Sequence, residues 1–460
     1  MKKIHFIGIG GIGVSALAQI TLMRGDKVSG SDLKATAMTR KLSSLGAEIF
    51  IGHDAKNIGD ADMVVYSSAV TSDNPEILKA KEKKIPALLR GEMLAELMSD
   101  KSAIAISGTH GKTTTTAMIG LSLERSGLSP TIAVGAHVSH FSGNVRLGFG
   151  SHFVAEADES DGSFLYLAPQ YSVVTNIEKE HMEHYGEMLK VIDAYAEFIE
   201  KTAAAAFLCV DCNNVRNIAK RANRRHISYG RSGDADIRAV DVILDGSRST
   251  YNALYKGKKI GSVELSVPGA HNVVNSLAAL GVSLACGVKF DMFAGAMREY
   301  TGADRRFQVV HDKNGLTIVD DYGHHPTEVK ATIAAARLSK DKRVIVIFQP
   351  HRYTRTLNLK EEFAQAFAGA DKLILTDVYA ACEKPIEGVS TDLICNAVKR
   401  SGHKDVCYLP KEKIIKYLLG AVKERDLLLF IGAGDIGELA YELAGCLNGR
   451  ERAAVSAHDI

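Results

Sequence analysis

Three α/β domains are the fold this sequence predicts, Rossmann-like at both ends and built on mostly parallel sheets, and three observations carry the prediction. The chain has 460 residues, more than one hydrophobic core usually organises and enough for about three domains of about 150 residues. Three times an apolar β-type segment runs through a glycine turn into a helical pattern: KIHFIGIGGIGVSALAQI, SAIAISGTHGKTTTTAMIG and LLLFIGAGDIGELAYEL. Each is the strand-turn-helix signature of a parallel α/β unit. Apolar residues make up 46% of the chain and charged residues 24%, the balance of a packed globular protein.

The first unit continues with DKVSGSD, AEIFIG and ADMVVYSSAV, short strands separated by helix-length segments, and closes in the polar ELMSDKS. That places a first domain over residues 1–99. Gly8, Gly10 and Gly13 form G-x-G-x-x-G after its first strand, and Asp32 ends the next strand. The spacing fits a dinucleotide or diphosphate set against a helix N-terminus, and taken alone it leaves a nicotinamide-dependent oxidoreductase open. The lysines of MKKIHFIGIGGIG look like the start of a secretory leader. Glycines break the apolar stretch at once and no A-x-A cleavage pattern follows, so export is not expected. No window reaches about 18 uninterrupted apolar residues, so no membrane span is expected and the compartment is the cytoplasm.

The second unit, residues 100–303, runs through HFVAEADES, YSVVTNI, the Ala-rich DAYAEFIEKTAAAAF and the hydrophobic helix NVVNSLAALGVSLACG, and ends near Gly302. Its glycine turn is Gly108-Thr109-His110-Gly111-Lys112-Thr113. The common phosphate loop, G-x-x-x-x-G-K-[ST], would need glycine where Ile106 stands. The ingredients are nevertheless present: converging N–H donors, the positive end of a helix dipole, a cation and a hydroxyl able to bind Mg²⁺. ATP with Mg²⁺ is the expected occupant, which makes this a central P-loop-type ATPase domain.

Downstream, Glu156, Asp158, Glu159 and Asp161 crowd the end of a hydrophobic strand, and such charge repels itself unless a cation is near. His181 follows a second buried strand, where it can ligate a metal or touch phosphate; beside Glu180 and Glu183 it also reads as a surface histidine. Asn272 and Asn275 share one helical face, suited either to a planar base edge or to capping and interhelical hydrogen bonds.

The third unit, residues 304–460, has strands LTIVDDY, RVIVIF, KLILTDVY and LLLFIG with helical patterns between them. Asp320, Asp321, Tyr322, His324 and His325 end one strand, and His351, Arg352, Tyr353 and Arg355 end the next. Neighbouring strand ends are where open α/β sheets bind ligands. Two arginines three apart can present guanidinium forks to one carboxylate. The turn from Gly432 to Gly437 reads as a tight strand-helix connection that can border the site, and the last ten residues are expected to fray.

The net charge of +2 leaves no excess to neutralise a nucleic-acid backbone, and the densest basic run, Lys220 to Arg225, is short, so no nucleic-acid partner is expected. Seven cysteines, an odd number, are scattered without a disulfide framework. Cys209 and Cys212 form one C-x-x-C with no second pair, which argues for small half-buried thiols, reduced in the cytoplasm, and against a zinc ribbon.

GTHGKTT resembles the ATP-binding loop of the Mur ligases, the peptide-forming enzymes of bacterial cell-wall precursor synthesis. IVDDYGHHP and QPHRYTR are similar to the amino-acid site of the branch that joins L-alanine to UDP-N-acetylmuramate. The ligase that recycles muropeptides shares the first loop and a related H-H-P segment but is expected to lack Q-P-H-R-Y-T-R. The segment DVYAACEKPIEG also matches, with Cys382 where glycine is common.

The resemblance implies that ATP is held by Gly108, Thr109, His110, Gly111, Lys112, Thr113 and Thr114, with Asn272 and Asn275 on adenine and Arg305 in the same site. It implies one Mg²⁺ on Thr113 and Glu156 and a second on His181. UDP-sugar falls to Gly8, Gly10, Gly11, Gly13, Asp32 and Ser67, and L-alanine to Tyr322, His351, Arg352 and Arg355. Lys112, His181, His351, Arg352 and Arg355 are the implied catalytic set, with His351 or His184 as the base that takes the amine proton. Several relatives carry a carbamylated lysine some fifteen residues past the histidine; DAYAEF has no lysine, as in the alanine-adding branch. A dehydrogenase has no use for a second phosphate loop, which sets the oxidoreductase reading aside, while a non-enzymatic nucleotide-binding scaffold stays open. A monomer or weak homodimer is expected.

Overall fold

The computed structural model describes residues 1–449 together with the course of the last helix, Ile436–His458; the expected fraying of the last ten residues lies outside the described residues. Three sheets, one per expected domain, make a three-domain α/β fold. The first has β1 (Lys3–Ile7), β2 (Lys27–Asp32), β3 (Glu48–Ile51), β4 (Met63–Tyr66) and β5 (Ala87–Leu89) in the order β3-β2-β1-β4-β5. All four pairings are parallel. The order reverses at β1, so the turn after β1 opens at the crevice where such sheets hold ligands.

The central sheet takes β6 (Ser102–Ser107), β7 (Thr131–Val138), β8 (Gly143–Arg146), β9 (His152–Glu156), β10 (Tyr171–Val174), β11 (Ala205–Cys209), β12 (His226–Gly230), β13 (Ile237–Asp245), β14 (Arg248–Tyr255) and β15 (Lys258–Leu265). Their order is β15-β14-β13-β12-β11-β10-β6-β9-β7-β8. The parallel middle is buried on both faces and reads as near-continuous apolar runs such as SAIAIS and AAFLC. The Ala-rich DAYAEFIEKTAAAAF divides there: its first part ends the helix Met188–Glu200, and its last residues become β11. β8 pairs antiparallel with β7.

The third sheet holds β16 (Gln308–Lys313), β17 (Leu316–Asp321), β18 (Arg343–Phe348), β19 (Lys372–Leu375), β20 (Val406–Tyr408) and β21 (Asp426–Ile431), ordered β16-β17-β21-β18-β19-β20. Only the edge pair β16/β17 is antiparallel. On one face Phe348 packs against Phe363 and Phe367 with ring centroids 5.3 and 5.1 Å apart, each buried ring contributing about 1.5–3 kcal/mol. β17 and β18 both flank β21, so Asp321 and Phe348 come level with Ile431 and their following loops leave the same sheet edge together.

By compactness the chain forms two units: Met1–Val242 with Thr250–Glu264 and Val273–Tyr300, and Ile243–Ser249 with Leu265–Asn272 and Thr301–Ile460. Among the described residues no helix is long and apolar enough to cross a membrane.

Candidate active site

β6 delivers the chain into the glycine turn, and the helix Lys112–Arg125 begins as soon as the turn ends. Gly111, the residue before that helix, lies at φ +82° and offers no side-chain cap. The first N–H groups of the helix therefore keep their donors for another acceptor, at the positive end of the dipole. A Cβ at Gly111 would come 2.7 Å from Asn275 Oδ1. Gly111→Ala is accordingly expected to lower Tm, since a left-handed backbone costs a residue with Cβ about 1–2 kcal/mol; thermal unfolding of the variant measures it, and an unchanged Tm would contradict it.

The turn is laced to the end of β10. Asn176 accepts from Thr109 N through its carbonyl (3.0 Å) and from His110 N through Oδ1 (2.8 Å), while its Nδ2 donates to the His110 carbonyl at 3.1 Å. Thr175 Oγ1 also donates to that carbonyl, and Thr109 Oγ1 accepts from Glu178 N at 2.9 Å. Sequence reading passed over Thr175 and Asn176, because their only signal was a polar pair after a buried strand.

Lys112 Nζ donates to the Gly108 carbonyl and, at 2.7 Å, to Glu159 Oε1. Burial works against the ammonium, but Glu159, Asp158 and Glu156 outweigh it and hold Lys112 above its ordinary pKa. Burial pushes Glu159 up, with Lys112 opposing. Asp158 is half-buried, yet Arg90 and Lys112 carry it below the usual range; its Oδ2 meets Arg90 at 2.8 Å. Glu156 accepts from Gly135 N. His181 opens the helix Met182–Tyr185 at φ +56° with its Nε2 3.8 Å from Glu159 Oε1. His184, the other candidate base, lies against Gly162, whose added Cβ would stand 3.2 Å from His184 Nε2. Glu159, not one of the expected ligands, is thus the carboxylate on which Lys112 and His181 converge, and Glu159 Oε2 is buried without a hydrogen-bond partner among the described residues.

In the first sheet, Ser31 O accepts from Gly8 N (2.8 Å) and Ile9 N (3.0 Å), and Gly10 N donates to Asp32 Oδ2 at 2.8 Å. Asp32 thus fastens the turn it was expected to accompany. Gly11 opens the helix Ile12–Met23 without a side-chain cap, Gly13 faces Arg90, and Ser67 Oγ accepts from Ala69 N. Arg90 therefore lies between this turn and Asp158, a placement that sequence gave no means of seeing.

At the edge of the third sheet, His351 Nδ1 lies 2.8 Å from Arg355 Nη1, which also donates to the His351 carbonyl at 3.0 Å. The His351 ring stacks on Tyr379 at 5.7 Å and tilts against His324 at 5.5 Å; His324 stands edge-on to Tyr322 at 5.6 Å. Arg352, at φ +69°, donates its N–H to the Tyr379 carbonyl. Tyr322, His351, Arg352 and Arg355 are thus gathered at one edge, with Tyr379 as a member sequence reading missed. Cys382 lies exposed at φ +68°, the left-handed region that suits glycine. Asn272 donates to the Pro268 carbonyl at 2.7 Å, and Asn275 stands over Gly111. Arg305 is committed to Asp320 and to the turn at Gly432. Cys209 and Cys212 are free, the first buried and pushed up to about 12 by burial.

Asp320 is pushed up to about 6, chiefly by burial. Its folded form holds the proton more tightly than the unfolded chain does, so its contribution favours folding below about pH 4 and is lost as pH rises through about 6. Asp320→Asn, neutral throughout, is expected to gain Tm relative to wild type between pH 4 and 7; a constant difference would contradict the assignment.

Comparison with known proteins places three family models along the chain: Mur ligase family, catalytic domain, over residues 3–102; Mur ligase middle domain over 106–283; and Mur ligase, glutamate ligase domain over 305–434. The chain is 47% identical over 446 residues to the UDP-N-acetylmuramate–L-alanine ligase of Geotalea daltonii, covering 96% of this chain and 97% of that one. It is 48% identical over 452 residues to the protein of that name from Pelobacter propionicus, covering 97% and 98%. The crystal structure of the UDP-N-acetylmuramate-alanine ligase of Thermotoga maritima superposes with a TM-score of 0.84 at 30% identity, covering 98% of this chain and 100% of that one.

Proposed function

The chain belongs to the Mur ligase family, and on that premise we propose that it joins L-alanine to the lactyl carboxylate of UDP-N-acetylmuramate, consuming ATP through an acyl phosphate and releasing ADP and phosphate for peptidoglycan synthesis. The observation that carries the reading is the Lys112 ammonium, kept charged beside an uncapped helix start. Full-length similarity to alanine-adding ligases supplies the substrates.

In this reading Gly108, Thr109, His110, Gly111, Lys112, Thr113 and Thr114 hold the phosphates of ATP, and Asn272 and Asn275 meet its base. Gly8, Gly10, Gly11, Gly13, Asp32 and Ser67 take the UDP-sugar. The domains are residues 1–99, 100–303 and 304–460. The protein works in the cytoplasm as a monomer or weak homodimer, without a membrane or nucleic-acid partner.

Mg²⁺ fits the central site: a threonine hydroxyl, several carboxylates and the buried, unpartnered Glu159 Oε2 are hard oxygen donors. Thr113 and Glu156 would hold one ion and His181 a second, and when bound they would screen the charge of the phosphates. A carboxylate oxygen is a poor leaving group until phosphorylated. Lys112 and the N–H groups of Lys112, Thr113 and Thr114 offset charge on the γ-phosphoryl group as the lactyl carboxylate attacks it and ADP departs. The neutral amine of L-alanine, its carboxylate held by Arg352 and Arg355, then attacks the acyl carbon and expels phosphate. Arginine can only donate, so His351 Nδ1 accepts from Arg355 and the ring proton sits on Nε2. In that tautomer His351 donates a hydrogen bond from Nε2, which leaves His184 as the candidate to receive the amine proton.

Phosphate release screened across the amino acids with UDP-N-acetylmuramate and ATP tests the reading. L-alanine is expected to give the highest kcat/KM; release that does not depend on any amino acid would overturn it.

A further inference from the structure

Arg305 was expected on ATP, yet its guanidinium is already engaged. Nη2 donates to the Gly432 carbonyl at 2.6 Å and to the Gly434 carbonyl at 3.0 Å, and Nε lies 3.3 Å from Asp320 Oδ2. Its Cζ stands 5.0 Å from the centroid of the Tyr322 ring. The backbone closes the same circle: Arg305, at φ +59°, accepts from Tyr322 N at 2.6 Å and donates its own N–H to Gln308 Oε1 at 2.8 Å.

Asp320 is 1% exposed, so its charge is tolerable only beside a cation. The partner is Arg305. Gly437 leaves room for the pair, because a Cβ there would come 2.6 Å from Asp320 Oδ1. From Tyr322 the ring contacts run on through His324 to His351 and Arg355, so whatever fixes Tyr322 fixes one wall of the proposed amino-acid site.

We propose that Arg305 is a positioning residue for the amine substrate: anchored by Asp320, it clamps the Gly432–Gly434 turn and carries Tyr322 on its guanidinium face. The glycine turn that resembles a nucleotide loop is then a brace. Its carbonyls, which a phosphate would repel, point at an arginine. The proposal rests on the reading of Tyr322 and the two arginines as the alanine site, and it gives Asp320 and Gly437 a task although neither meets a substrate.

The test uses the full chain with Arg305→Met, Arg305→Lys, Asp320→Asn and Gly437→Ala. Steady-state phosphate release gives KM for each of the three substrates, and hydrogen exchange follows the amides from Gly432 to Gly437. Arg305→Met, Asp320→Asn and Gly437→Ala are each expected to raise the KM for L-alanine about tenfold or more while the KM for ATP stays within about twofold, small displacements of positioning groups being costly. Arg305→Lys, which keeps the charge, recovers part of the loss. Exchange in the turn quickens in Arg305→Met and Asp320→Asn and stays at the wild-type rate in Arg352→Ala, whose KM for L-alanine rises through direct contact. A rise in the KM for ATP instead would make Arg305 an ATP ligand and overturn the proposal, as would unchanged exchange in Arg305→Met. If Arg352→Ala leaves the KM for L-alanine unmoved, the reading of the alanine site fails, and the exchange rates alone then decide the clamp. Should Arg305→Met not fold, Arg305→Lys and Gly437→Ala carry the same readouts.

Discussion

Replacing Lys112 with methionine is expected to lower kcat by about 10³-fold, the size of effect seen when one preorganised group that faces developing charge is removed. Two consequences separate in this variant. The γ-phosphoryl group loses its cation, and Glu159, bonded to Lys112 at 2.7 Å and nearly excluded from water, loses its partner. An unpaired buried charge costs about 3–5 kcal/mol, so Lys112→Met should also lower Tm. Adding Glu159→Gln removes that charge. The double variant is therefore expected to regain Tm while staying inactive, which differential scanning calorimetry beside a phosphate-release assay will show. Recovery of activity together with stability would mean that Lys112 serves the fold and not the phosphate.

The second large effect belongs to Arg355. It is 9% exposed, and its Nη1 donates to the His351 carbonyl and lies 2.8 Å from His351 Nδ1. Arg355→Ala removes charge-assisted hydrogen bonds to the alanine carboxylate, worth about 1.5–3 kcal/mol each, and frees the His351 ring to turn. The kcat/KM for L-alanine is expected to fall by about 10²-fold or more, with the KM for ATP little changed. Arg355→Lys recovers only a small part, because an ammonium cannot hold both His351 and a carboxylate in the planar fork. Equal losses for ATP and alanine would show that the arginine supports the fold alone.

Much of this was legible in the sequence, because the chemistry sits at strand ends. GTHGKT, VAEADES and QPHRYTR each follow an apolar run, and the glycines mark where the backbone turns. What could not be read is what approaches those ends from elsewhere in the chain. Asn176 holds the loop residue His110, 66 positions away, and Arg90 meets Asp158 across 68. No local pattern records either. Arg305 was placed on ATP by resemblance alone, and its contacts with Asp320 and the Gly432 turn come from residues that no local pattern joins to it. Glu159 was visible as one carboxylate of four, and its contacts with Lys112 and His181 distinguish it.

The central claim is that the Lys112 turn makes a carboxylate into an acyl phosphate. UDP-N-acetylmuramate carrying ¹⁸O in its lactyl carboxylate tests it in one turnover with ATP and L-alanine. One labelled oxygen is expected in the released phosphate and one in the new amide. Phosphate that carries no label would contradict the account.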